Sequence, residues 1–69
     1  MQEITIITKN EVGILSKICG LLGNYGVNIE TISAQGLGES GLIRIVTKDA
    51  STAKKILEKE GYSIKTGEI

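Results

Sequence analysis

From Glu3 to Thr8 the chain reads "EITIIT", β-branched apart from Glu3, and from Gly13 its apolar residues change to three- and four-residue spacing. The first pattern suits a strand and the second an amphipathic helix; no single element satisfies both. In the strand, Ile4 and Ile6 share one face and Thr5 and Ile7 the other, the pattern of a central strand. In the helix, Ile14, Leu15, Ile18, Leu21, Leu22 and Tyr25 form one stripe, and Gly26 is placed to end it as a left-handed residue. Gly20 and Gly23 each weaken such a helix by about 1 kcal/mol relative to alanine. Either packing holds the helix or another backbone approaches closely there, and close approach is the preferred expectation.

The second half changes spacing in the same way. "VNIETISAQ", Val27 to Gln35, reads as a strand, and "GLGESG", Gly36 to Gly41, as a hairpin connection. "LIRIVT", Leu42 to Thr47, is the third strand. If Arg44 faces water, Leu42 and Val46 share its face while Ile43 and Ile45 point inward. Asp49 is a candidate N-cap for a helix from Ala50 to Glu60, with Ala53, Ile56 and Leu57 inward and Gly61 ending it. Lys54, Lys55, Glu58 and Lys59 form its solvated side, and "YSIKT", Tyr62 to Thr66, is the last strand. The order βαββαβ predicts an α+β, ferredoxin-like sandwich: a four-stranded antiparallel sheet with two helices on one face, residues 1–69 forming a single domain. Two strand edges and one sheet face, bearing Leu42 and Val46, stay uncovered, and a second copy of the chain is the simplest cover.

Composition removes several functions. A chain of 69 residues holds one small domain, and such a domain buries only roughly 60% of its unfolded surface. Eight basic residues offset eight acidic ones, so no net field draws the chain to nucleic acid or to anionic membranes. With no histidine, imidazole base catalysis and imidazole metal ligation are gone. The single Cys19 can form neither an intramolecular disulfide nor a CxxC motif, and it reads as a packing residue, with a reactive thiol as the alternative. Arg44 is the only arginine, so the phosphate-cradling arginine loop of an acylphosphatase is missing. "GLGESG" has no lysine and opens a strand, unlike a P-loop. Strands one and three carry no aromatic residue on which a base could stack. The expectation is a protein that is not an enzyme, with no cofactor and no metal. No apolar run approaches the ~18 residues of a membrane span, and no targeting signal opens the chain, so a cytoplasmic place is expected.

What remains is the start of the first helix. A helix N-terminus exposes unpaired N–H groups and the positive end of a dipole, which suit a carboxylate. Gly13 leaves the approach open, and the amides of Asn10 and Asn28, placed before and after the helix, offer both donors and acceptors to a zwitterion. The plain alternative stays beside it: Asn10 as a helix cap, Gly13 as relief of crowding, and Asn28 as part of a turn into the strand.

"KNEVGILSKICGLLGNYGVNIETIS", Lys9 to Ser33, resembles the ACT domain signature: a polar residue, a loop glycine, an apolar helix, then a Gly-Val-Asn-Ile start to strand two. The resemblance covers nearly the whole chain, and "GVNIETIS", Gly26 to Ser33, is its most specific block. It implies a small regulatory module that pairs edge to edge and binds an amino acid at the interface. In serine-sensing phosphoglycerate dehydrogenases, asparagines at the places of Asn10 and Asn28 contact the effector. The implied ligand-binding residues are Asn10, Glu11, Val12, Gly13, Ile14, Asn28 and Ile29. The family's first loop often reads Asp-x-Pro-Gly, where this chain has Asn10 and Val12, and Thr8 replaces the dehydrogenases' histidine, so serine is not specified. The implied partners are a free amino acid effector, a second copy, with a tetramer allowed by the apolar outer face, and an enzyme of amino-acid metabolism. The alternative function is a ligand-free oligomerisation module that assembles a partner enzyme. No residues remain for a catalytic part, so a free-standing module is expected.

Overall fold

The structure, a computed structural model, describes residues 2–9 and 13–68. Its elements are β1 (Gln2–Lys9), α1 (Ile14–Asn24), β2 (Ile29–Leu37), β3 (Ser40–Thr47), α2 (Ala50–Lys59) and β4 (Ser63–Glu68). The four strands form one sheet in the order β2-β3-β1-β4, with every neighbouring pair antiparallel. This is the ferredoxin-like α+β sandwich expected from the spacing, with β1 in a central place.

The sheet faces follow the period of two. Ile4 and Ile6 of β1 and Ile43 and Ile45 of β3 are buried, and Ile4 stands opposite Ile45 as Ile6 stands opposite Ile43. Ile18 and Leu22 of α1 and Ala53, Ile56 and Leu57 of α2 join the same cluster, so both helices lie on that face. A core without Phe or Trp rests on interlocking Ile and Leu. Leu15 and Tyr25, assigned to the inward stripe of α1, are instead exposed, Tyr25 by 58%. The helix is short, and only the middle of its stripe, Ile18 and Leu22, is covered completely.

The second strand departs from regular alternation. Ile29 pairs with Thr47 and Thr31 with Val46, so Glu30 is an extra residue in a bulge. Ile29 and Ile32, three positions apart, would face opposite sides of a regular strand; with the bulge both pack against the core. The strand starts and ends two residues later than expected, and the hairpin is tighter than "GLGESG" suggests. Gly36 pairs with Gly41 and Leu37 with Ser40, leaving Gly38, at φ 68°, and Glu39 to turn the chain. Glycine content indicated a long loop, whereas the ladder tolerates Gly36 and Gly41 and only Gly38 needs the left-handed region.

Both helices end alike. Val27 N–H reaches the Leu22 carbonyl and Gly26 N–H the Gly23 carbonyl, each at 3.0 Å, with Gly26 at φ 75°. Tyr62 N–H reaches Leu57 and Gly61 N–H reaches Glu58 in the same way, with Gly61 at φ 92°. These are Schellman closures, in which a left-handed residue lets orphan carbonyls be satisfied. Gly20 and Gly23 differ: a Cβ built on either meets nothing within 4 Å, so the close approach expected within the fold is absent. Gly20→Ala and Gly23→Ala are each expected to stabilise the chain by about 0.5–1 kcal/mol. Gly26→Ala is expected to destabilise it by about 1 kcal/mol through backbone strain alone. Urea midpoints of the three variants check this opposition of sign, and a lower midpoint for Gly20→Ala would contradict it.

Candidate functional site

At the N-terminus of α1, Gly13 adopts φ 81° and ψ 3°, a left-handed conformation, and no side chain caps the helix from that position. The requirement for glycine here is conformational, since a Cβ would meet nothing within 4 Å. The first helical hydrogen bond runs from Lys17 N–H to the Gly13 carbonyl at 3.0 Å. Ile14, Leu15 and Ser16 therefore present backbone N–H groups with no acceptor inside the helix. Ile14 is half-buried and packs on the core. Asn10, Glu11 and Val12 lie outside the described residues.

Asn28 and Ile29 stand at the other end of α1. Eleven helical residues place these two ends about 16 Å apart. The strand register agrees: Ile29 is level with Thr47 and Gln2, whereas Leu37 is level with Ser40 and Lys9. Within one chain, then, Gly13 and Asn28 belong to opposite ends of the sheet. The sequence led to the expectation that Asn10 and Asn28 lie together near the first helix and its edge strand; Asn10 lies outside the described residues, and Asn28 stands at the far end of α1 from Gly13.

The Asn28 backbone is held by a residue that sequence reasoning passed over. Thr47 is fully buried, and its hydroxyl donates to the Asn28 carbonyl at 2.7 Å while accepting from Asp49 N–H at 3.1 Å. One hydroxyl thus ties the start of β2 to the start of α2. Asp49 is the N-cap residue of α2, as expected, but its side chain makes no capping hydrogen bond; its N–H is tied down through Thr47 instead. The Asn28 side chain is exposed beyond this anchor.

The two sheet edges are unequal. Edge strand β2 runs nine residues with Glu30 as its one charge, while β4 runs six and carries Lys65 and Glu68. Charged side chains discourage the pairing of an edge with another strand, so β4 is the better protected of the two edges. A cavity of about 380 Å³ adjoins the N-terminal end of α1, between Thr8 and Lys9 of β1, Lys17, and the Gly61–Ser63 turn. A second, of about 290 Å³, lies over β2 and β3 beside Arg44. Cys19 is half-buried. Among the described residues no group of acidic or cysteine side chains is placed to hold a metal ion, and no helix is long and apolar enough to cross a membrane.

The family described as AHAS small subunit-like ACT domain matches residues 4–60. No curated protein sequence matches the chain. Among solved structures, the ACT domain of a prephenate dehydrogenase from Bacillus anthracis is similar, at 22% identity and TM-score 0.82, over 91% of this chain and 99% of that one. The ligand-free regulatory subunit of aspartate kinase from Thermus thermophilus gives 19% identity and TM-score 0.85, over 97% of this chain and 50% of that one. A protein from Bacteroides thetaiotaomicron gives 18% identity and TM-score 0.85, over 96% of this chain and 46% of that one. The chain therefore spans about half the length of these last two. At such identities the likeness is one of fold.

Proposed function

The chain belongs to the ACT domain family, matching its AHAS small subunit-like member over residues 4–60, and on that premise we propose that it is an amino-acid sensor working as a pair of copies. The carrying observation is the separation of Gly13 and Asn28 along α1, beside an edge strand with a single charge. Two copies pairing their β2 strands antiparallel about Ser33, the middle residue of the strand, would set Ile29 of one opposite Leu37 of the other. Because Leu37 is level with Lys9 through Ser40, Asn28 of one copy then comes to the end where the other copy's α1 begins. A separation that prevents a site within one chain thus favours two equivalent sites between chains.

In each site the first-turn N–H groups of α1 would take the carboxylate, and the Asn28 amide of the other copy the ammonium. Asn10, Glu11 and Val12 complete the site in this reading, with Ile14 and Ile29 as its apolar wall. A ligand bridging two chains stabilises the pair by mass action, by about 2.7 kcal/mol at a hundred times its dissociation constant. The function that follows is allosteric: an amino acid sets the pairing, and the pairing is read by an enzyme of amino-acid metabolism.

A thermal-shift series with the free amino acids tests this. At least one is expected to raise Tm by on the order of 10 °C at saturation, and Asn28→Ala to lose most of that rise while remaining paired by sedimentation. Pairing with no response to any amino acid would instead leave a module whose role is assembly.

A further inference from the structure

The outward face of the sheet is organised in cross-strand rows. The middle row runs Ser33, Arg44, Thr5, Lys65 across β2, β3, β1 and β4. Along β3 the neighbours of Arg44 on this face are Leu42 and Val46, both half-buried, and Ile7 stands opposite Leu42, 48% exposed. Arg44, the only arginine, thus has a hydroxyl beside it on each adjoining strand and an aliphatic side chain on either side along its own. The cavity of about 290 Å³ opens here, lined by Ser33, Ala34, Gln35, Leu42 and Arg44. No acidic residue lines it; Glu3, on the same face, stands diagonally across, opposite Val46.

We propose that this cavity binds a small aliphatic carboxylate, with the carboxylate on the Arg44 guanidinium and the hydrocarbon chain along Leu42. A planar guanidinium matches a carboxylate through two parallel hydrogen bonds. Ser33 and Gln35 supply further donors. The single formal charge of the lining is positive, so an anion fits where a zwitterion would bring an ammonium towards the guanidinium. The volume lies at the small end of ligand cavities, which selects a short chain. A second copy stacked face to face is the poorer occupant, because Arg44 and Lys65 of two such faces would meet like charges. The cavity does not rest on the amino-acid reading: edge pairing through β2 extends the sheet in its own plane and leaves the outward face uncovered, although the partner's β2 would then flank the Ser33–Gln35 side of the cavity.

The test is an NMR titration of the labelled chain with pentanoate, with pentanamide, norvaline and inorganic phosphate as comparisons. Saturable shifts are expected at the Leu42 methyls and the Ser33 and Gln35 amides with pentanoate. Affinity is expected to fall about 10- to 100-fold for pentanamide and in Arg44→Gln, the loss of a charge-assisted pair. Norvaline, which adds an ammonium to the same chain length, is expected to bind more weakly at these residues. No saturable shift, equal binding of pentanamide, or undiminished binding by an Arg44→Gln variant with an otherwise unchanged spectrum would overturn the proposal. Phosphate binding as tightly as pentanoate would overturn it too, reducing the site to a non-selective anion contact. These signals come from the outward residues of β2 and β3 and are read separately from the thermal response of Asn28→Ala.

Discussion

Leu57→Ala is expected to remove about 3 kcal/mol of stability and leave much of the chain unfolded in mild urea. Leu57 is fully buried between α2 and the sheet, and deleting a buried leucine side chain costs about 2–5 kcal/mol, according to how far the surroundings collapse. Here collapse is limited. The surrounding cluster is aliphatic, Ile and Leu with Val27, Ala50 and Ala53, held by strand register or helix geometry, with Tyr62 packed against it. A domain of 69 residues has a total stability of only roughly 3–10 kcal/mol. The loss is therefore a large part of the whole. The Leu57 backbone carbonyl, which accepts from Tyr62 N–H at 3.0 Å, survives the substitution, so the effect isolates side-chain packing. Urea denaturation followed by circular dichroism measures it, and a loss under about 1 kcal/mol would mean that the core repacks more freely than this geometry allows.

The second large effect needs no cavity. Thr47→Val keeps the shape of the side chain and replaces one hydroxyl, and it is expected to cost about 2–3 kcal/mol. That hydroxyl serves two partners, the Asn28 carbonyl and Asp49 N–H, in a side chain with no exposure to water. Removing it leaves one acceptor and one donor without this partner, and because both bonds are only partly buried each loss falls at the lower end of about 1–3 kcal/mol. Thr47→Ser keeps the hydroxyl and serves as the control, expected to lose about 1 kcal/mol for a methyl group. Urea midpoints, with hydrogen exchange at the Asp49 amide, distinguish the two variants; equal stability of valine and threonine would remove the hydroxyl from the account. In the proposed sensor the valine variant also loosens Asn28, so its thermal response to an amino acid should fall.

How much of this was legible in the sequence depends on the range of the forces involved. Ile4 with Ile6, and Ile43 with Ile45, announce the inner face because a period of two is a local property of the chain. Gly26 and Gly61 announce helix ends because a left-handed residue is a local need. The Glu30 bulge was not legible, because it arises from pairing with β3 and from the pull of Ile29 and Ile32 to one face. Thr47 reads as an ordinary strand former until the start of α2 folds back beside the start of β2. The candidate site shows the same limit: Gly13 and Asn28 flank one helix in the sequence, and the length of that helix keeps them apart.

The unequal sheet edges have a further consequence. An open sheet that accepted strands on both sides would grow without end, as fibrils do. With Lys65 and Glu68 on β4 and a single charge on β2, the two edges are unequally protected against such growth. In the proposed pair the two β2 edges cover each other and only the charged β4 edges are left outward, so edge-to-edge growth would stop at two copies.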